Sequence, residues 1–457
     1  MSEKRDTFSN RLGFVLAAAG SAVGLGNLWR FPYLSAQKGG AVFLLVYIIF
    51  AFTFGLSLLV TEISIGRKTR LSCIGAYKKM HPKFGFLGIL TALVPTIILP
   101  YYCVIGGWVT KYGYTYLFNK SESITADSEG FFNNFILVQS EGVMNNALLW
   151  FIIFMTITMI IVLLGVQKGV EKASKIMMPV LVILSIGIGI YTITIPGVAA
   201  GLKYYLVPDF SFIKSFKDFV DLLLSALGQL FYSLSLAMAI MLTYGSYMKK
   251  EDDIQKSSAQ IVIFDTLIAF FAGFMIVPPI VAFNGGDPSK INAGPGLMFV
   301  TLPQVFAQMP GGKIIGALFF ILVLFAALTS SISLMEAVVS VFLDKFKVKR
   351  TTATIIVFII SIVLGTLSCL GYGPLANVQI LGRAFLDFFD FITNSVMMPI
   401  IAICTCVLVG FISKPKYVEE EVLSSGKFAA KKGYDIMVKY IAPIALTAIL
   451  ISNLVVS

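Results

Sequence analysis

Asp265 interrupts the run IVIFDTLIAFF, in which every neighbour is apolar or a threonine. A lone carboxylate in such surroundings is costly unless it meets a cation or takes up a proton. It is therefore a candidate ion contact, against the competing reading of a residue near the cytoplasmic helix end reaching out to water. Thr329 and Ser330, in AALTSSIS (326–333), offer hydroxyls at successive positions. That pair suits a hard, oxygen-ligated cation such as Na⁺, although such hydroxyls also bond back to the preceding turn. A third cluster lies in AAAGSAVGLGNLWRFPY (17–33), where Gly20, Gly24 and Gly26 surround the middle and Asn27 and Arg30 follow. Glycine at this density favours unwinding, which frees carbonyls and amides that need partners. A small-residue packing stripe explains Gly20 and Gly24 but not Asn27 with Arg30. GQLFYSLSLAMA (228–239) sets Gln229, Tyr232, Ser233 and Ser235 midway along another apolar stretch. Asp387 and Asp390 sit beside Phe388 and Phe389, and one of them could pair with Arg30.

Positioning these groups needs a membrane scaffold. Of 457 residues, 57% are apolar and 13% charged, about half the charge of a soluble domain. The net charge of +11 sits in short clusters between apolar runs, which excludes nucleic-acid binding as the main role. Runs of about 20 apolar residues are the unit of crossing. They fall near 11–35, 41–66, 87–117, 147–165, 176–195, 218–247, 258–283, 313–342, 352–371, 377–412 and 434–456. The expected fold is thus an all-α polytopic membrane protein of eleven spans, a single integral domain over 1–457. With the N-terminus cytoplasmic and the C-terminus extracellular, 25 of the 35 Lys and Arg fall on the inner side, as the charge bias of loops requires. Segment 119–145 reads as a polar loop. Segment 284–312, with Gly/Pro breaks around an apolar stretch of about a dozen residues, is too short to span and suits a re-entrant or lid segment.

Spans one and six would open two five-helix halves, about 11–195 and 218–412, followed by an extra helix at about 434–456. Interrupted helices in matching positions of two halves point to a transporter's central site. Cys73, Cys103, Cys369, Cys404 and Cys406 lack C-x-x-C spacing and read as buried apolar residues. No cleavable leader is apparent. The single His81 falls in an inner loop, and without H-E-x-x-H or a nucleophile–base pair no enzyme is indicated.

GSAVGLGNLWRFPY (20–33), GGAVFLLVY (39–47), EISIGR (62–67), PYYCVIGGW (100–108), GQLFYSLSLAM (228–238), ALTSS (327–331) and FLDFFDF (385–391) occur in one order along the chain. With these motifs the chain resembles the neurotransmitter:sodium symporter family, most closely its bacterial amino-acid transporters of the leucine-transporting type. The resemblance implies two inverted repeats with helices 1 and 6 interrupted at mid-membrane. It implies one sodium site at Gly20, Val23, Ala326, Thr329 and Ser330, and another at Ala22, Asn27, Ser233 and Asp265 completed by the substrate's carboxylate. The amides of Leu25 and Gly26 with the Tyr102 hydroxyl would hold that carboxylate. Gly24, an Asp in monoamine transporters, suits an amino acid. The pocket is expected to include Ala22, Gly24, Leu25, Gly26, Ile98, Tyr102, Phe231, Tyr232, Ser233, Ser235, Met238, Ser330 and Leu334. Lacking charge, it suits a neutral, hydrophobic side chain, aromatic ones included, because a charged one would be desolvated without a partner. Met238, a Phe in the leucine-transporting members, adds an adaptable thioether.

Gates follow from the same resemblance. Arg30 with Asp390 forms the expected outer pair, under a Tyr102–Tyr232 lid. Arg5 with Asp344, near Ser246 and Tyr247, forms the inner one. Gly169 and Pro179 match the family's Gly-x9-Pro pattern in span five, which implies a helix able to unwind. Asp265 replaces an Asn of other members and could supply the charge that bound chloride supplies elsewhere, so chloride independence is expected. Ala237 and Ala239 replace glycines, so a smaller break in span six is expected, and Phe8 replaces a tryptophan. The expected activity is sodium-driven symport by alternating access, in the cell membrane, with two Na⁺ ions and no organic cofactor. Its partners are a small neutral amino acid and the lipid bilayer. A non-transporting sensor or ligand-gated channel on the same fold is the alternative. A channel needs a continuous polar pore, whereas the polar groups here gather at one depth.

Overall fold

Lipid offers a backbone no partners, so apolar runs of this length fold as helices. The structure, a computed structural model, describes residues 5–118, 121–138, 142–283 and 294–456. Among these residues there is no strand, only an isolated bridge between Ile380 and Arg383. By length and composition, eight helices suffice to cross a membrane: Ala41–Thr69, Pro82–Leu117, Val166–Ile193, Ile254–Phe283, Gly312–Phe346, Arg350–Leu370, Phe385–Ile412 and Lys431–Val455. A ninth crossing is the pair Arg11–Ala22 and Gly26–Gln37, bent by 51°. The other two expected spans correspond to the 17-residue helix Ala147–Leu163 and the broken pair Phe216–Ser233 and Ile240–Tyr247. Eleven crossings are consistent with this set.

Several boundaries differ from the sequence reading. The fifth helix begins at Val166, not near 176, because Gly165 (φ 86°) ends the previous element and a π-helical turn, Val166–Glu171, opens the new one. The tenth begins at Phe385, not near 377, since Leu381 (φ 51°) and Gly382 (φ 72°) turn the chain first. Segment 119–145 is not simply a loop: it forms the helices Glu122–Ala126 and Ser128–Ile136. Asp127 caps the second by accepting from Gly130 N at 2.9 Å, and Phe132 and Phe135 are buried. Of the expected re-entrant segment, 284–293 lies outside the described residues, as do Lys4 and positions 119–120 and 139–141. Its remainder includes the helical stretch Leu297–Gln308, and Phe299 stacks on Phe132 at 5.2 Å.

The bent first helix lies among Val166–Ile193, Ile254–Phe283 and Gly312–Phe346. Its break falls at Val23, whose extended backbone (φ −75°, ψ 98°) ends the first half. The sixth helix breaks more widely than the missing glycines suggest. It stops at Ser233 and resumes at Ile240, with Ser235 (φ 53°), Ala237 (φ 60°) and Ala239 (φ 62°) all left-handed. Such residues cost about 1–2 kcal/mol each without glycine's freedom. The buried Glu62 answers part of that strain, because its Oε1 accepts from Ala237 N at 2.7 Å.

Candidate functional site: a pocket between two broken helices

The two breaks face each other across a narrow cavity of about 30 Å³. It is lined by Ala22, Gly24, Leu25 and Gly26 from the first helix, Ile98 and Tyr102 from the third, and Ser330 and Leu334 from the eighth. The sixth helix adds Tyr232, Ser233, Ser235 and Met238. Of the expected pocket residues only Phe231 is elsewhere: it lines the vestibule above. Adjacent helical residues point about 100° apart, so Tyr232 reaches both the cavity and the vestibule while Phe231 reaches the vestibule alone. The sequence reading missed Ser21 and Ile240, which complete the lining. Ser21 has no signal of its own in a run of small residues. Its carbonyl nonetheless accepts from both Ser235 Oγ and Ser330 Oγ at 3.1 Å, joining the two broken helices to the eighth.

Space at the break is set by glycine. A Cβ on Gly24 would lie 2.7 Å from Ser330 Oγ and 3.1 Å from the Tyr102 hydroxyl. Leu25 N approaches that hydroxyl at 3.4 Å, so an amide and a phenol converge at the break. No charged side chain lines the cavity.

Asp265 is fully buried rather than reaching to water. Its Oδ1 accepts from Asn27 Nδ2 at 2.8 Å and Ser233 Oγ at 2.7 Å, and its Oδ2 from Tyr47 OH at 2.9 Å. Hydroxyl and carboxylate oxygens so gathered form a hard donor set suited to a small cation, while the Asn27 amide turns its nitrogen to the carboxylate and its oxygen to Gly24 N at 3.2 Å. Tyr47 was not foreseen in this role, since a tyrosine in FLLVY carries no signal of its partner. Gln229, also buried, donates to the Gly26 carbonyl at 2.9 Å and ties the two breaks together. Of the second expected cation group, Gly20, Ala326 and Thr329 lie together, while Ser330 Oγ donates to the Ser21 carbonyl. A Cβ on Gly20 would lie 3.2 Å from Thr329 Cβ, and Thr329 Oγ1 donates to the carbonyls of Ala326 and Phe325, each at 3.0 Å. Val23, being extended, leaves its carbonyl outside the helical ladder.

The two ends of the bundle differ. At one, Arg5 Nη1 lies 2.5 Å from Asp344 Oδ1, and Arg5 Nε donates to Ser246 Oγ at 3.0 Å. The Arg5 guanidinium stands 5.0 Å over the Tyr247 ring, and Tyr247 OH donates to the buried Glu336 at 2.8 Å. Phe8 is buried edge-on against Phe14 and Tyr244, so it fills its place without an indole. At the other end a vestibule of about 550 Å³ stands above the pocket, with Leu25, Tyr102 and Tyr232 lining both. Arg30 and Asp390 face this vestibule but are not paired within 4.0 Å among the described residues. Arg30 lies over the Tyr232 ring at 5.5 Å, while Asp390 accepts from Asn394 at 2.6 Å and Tyr101 OH at 3.1 Å. Asp387 accepts from Tyr372 OH at 2.8 Å. The pair expected at the inner face is therefore joined and the pair expected at the outer face apart.

A buried polar centre between broken helices, shut at one end and approached from the other, defines a secondary transporter rather than an enzyme. The chain belongs to the sodium:neurotransmitter symporter family, whose sequence model matches residues 5–122 and 116–457. It is 34% identical to the sodium-dependent transporter YhdH of Bacillus subtilis, over 99% of this chain and 98% of that protein. A sodium-dependent transporter of Haemophilus influenzae is 33% identical over 99% of each chain. Among solved structures, MhsT in complex with L-phenylalanine is 36% identical with a TM-score of 0.86, covering 98% of this chain and 100% of that one. The protein is thus a sodium-dependent symporter of the membrane, with the all-helical fold that MhsT shares.

Proposed function

We propose that the protein carries a neutral, hydrophobic amino acid, aromatic ones included, into the cell on an inward sodium gradient and without chloride. The observation that carries this reading is the buried Asp265 carboxylate, 2.7 Å from Ser233 and 2.8 Å from Asn27, beside an uncharged pocket. One sodium ion is held by Ala22, Asn27, Ser233 and Asp265, and by the substrate's own carboxylate. The bound negative group stabilises Na⁺, and Na⁺ offsets the cost of burying it, which couples the two bindings. A second ion is held by Gly20, Val23, Ala326, Thr329 and Ser330. Asp265 supplies the fixed negative charge that makes chloride unnecessary. The amides of Leu25 and Gly26 and the Tyr102 hydroxyl receive the carboxylate. Ile98, Tyr232, Ser235, Met238 and Leu334 surround the side chain, and the complex of MhsT with L-phenylalanine supports an aromatic occupant. The narrow cavity widens as Met238, a side chain of three rotatable bonds, moves aside. Arg30 with Asp390 and Arg5 with Asp344 close the outer and inner faces in turn, with the N-terminus cytoplasmic, the C-terminus outside and the vestibule open to the exterior.

The test is uptake of a labelled amino-acid panel into proteoliposomes under an inward Na⁺ gradient, with chloride or gluconate outside. Accumulation that requires Na⁺ and persists in gluconate is expected. Accumulation lost in gluconate refutes the role of Asp265. Sodium-dependent binding without accumulation refutes transport and leaves a sensor.

A further inference from the structure

A carboxylate that takes no part in the pocket fastens the segment before the first helix to the fifth. Glu171 is 2% exposed and closes the π-helical turn Val166–Glu171. Its Oε2 accepts from Ser9 N at 2.9 Å, and its Oε1 takes both the Ser9 hydroxyl and Lys175 Nζ, the latter at 2.6 Å. From the same turn, Gln167 donates to the Thr7 carbonyl at 2.7 Å. The approach is tight, for a Cβ on Gly13 would fall 2.2 Å from Glu171 Oε1 and would have to push that side chain aside. Between these attachments Phe8 N donates to the Tyr247 carbonyl at 3.1 Å, next to the Arg5–Asp344 pair.

The turn that carries Glu171 departs from the regular ladder of its helix. Its π-helical bonding is a local deformation of the ladder, and it begins after Gly165 at φ 86°. Gly169 presses so closely on the Ile161 carbonyl that a Cβ would lie 1.9 Å away. Lys175 travels with Glu171, so if the Ser9 segment departs alone the buried carboxylate keeps that lysine but loses both Ser9 donors, a penalty larger than those bonds' net worth. Neither segment can therefore leave alone without that penalty.

We infer that Glu171 is a positioning residue of the inner gate: its carboxylate latches residues 7–9 to the π-helical turn, so that the two segments loosen together. The inference rests on the alternating-access reading above, and Glu171 acts through the neighbours of Arg5 and Tyr247 without touching substrate or ion.

Hydrogen–deuterium exchange of the full-length protein in nanodiscs tests the latch directly. Glu171→Gln keeps the side chain's shape but removes the charge and one acceptor. It should speed exchange roughly tenfold, the factor for one charge-assisted bond, in residues 7–12 and in 166–171 alike. Ser9→Ala should speed exchange in 166–171, where no atom has been altered. Acceleration confined to the substituted segment, or none, overturns the latch. Sodium dependence of uptake gives a second readout: Glu171→Gln should raise the half-saturating sodium concentration several-fold, because an inner gate held less firmly favours the sodium-releasing state. A lower maximal rate at unchanged half-saturation would mark a merely structural role and also overturn it. Failure of the transport reading is separate, since wild-type protein would then show no accumulation while exchange still reports the latch.

Discussion

Replacing Asp265 with Asn removes one buried charge while keeping the side chain's shape. Asn27 and Ser233 stand 2.8 and 2.7 Å from the carboxylate, so a cation seated among them lies within about 4 Å of it. At an effective dielectric of about 20, a unit charge at that distance contributes about 4 kcal/mol, roughly a thousandfold in binding. The Asn27 and Ser233 donors can still bond to the amide oxygen, and the new amide nitrogen can donate to the Tyr47 hydroxyl, so the fold should persist. In proteoliposomes, Asp265→Asn should therefore require far more sodium in gluconate than the wild type. Chloride should restore part of the lost uptake, as a mobile anion replaces the fixed one. Sodium-dependent protection against thermal unfolding reads the same affinity without flux. A variant with wild-type sodium dependence in gluconate would refute the assignment of Asp265 as both ion contact and internal counter-charge.

Gly24→Ala should lower amino-acid affinity at least tenfold without unfolding the protein, because its Cβ would meet Ser330 Oγ at 2.7 Å; ligand-induced thermal shifts measure this. At Ala237 (φ 60°), Ala237→Gly should change stability by no more than about 1 kcal/mol, lost burial offsetting relieved strain. By contrast Ala237→Val, β-branched in a left-handed conformation, should cost about 2 kcal/mol or more, read as a lower unfolding midpoint in detergent. Arg67, whose side chain is fully buried, lies 2.6 Å from both Glu421 Oε1 and the Asp252 carbonyl. Arg67→Met should cost about 3 kcal/mol or more by leaving that carboxylate half-buried and unpaired, again read by thermal unfolding; an unchanged midpoint would refute it.

The chain's polar residues were legible one by one because lipid penalises any polarity without a use. Asp265, Thr329, Ser330 and Asn27 stood out against apolar neighbours before any fold was considered. Gly20, Gly24 and Gly26 marked the first break for a local reason, since only glycine frees the backbone there at little cost. Pairings across the bundle were not legible. The break in the sixth helix proceeds through Ala237 and Ala239 despite their strain, with an amide bonded to Glu62 from 175 residues away. Phe231 turned to the vestibule and Tyr47 to Asp265 because helix rotation, not residue type, decides what a side chain meets. Which of the two expected ion pairs is joined is likewise a matter of distance: Arg5 reaches Asp344 at 2.5 Å, while Arg30 rests on Tyr232. Composition and spacing determined that this protein spans a membrane and which of its groups hold charge there. Tertiary packing alone decided their partners, because lipid's penalty acts on each residue singly and its relief comes from residues far away in the chain.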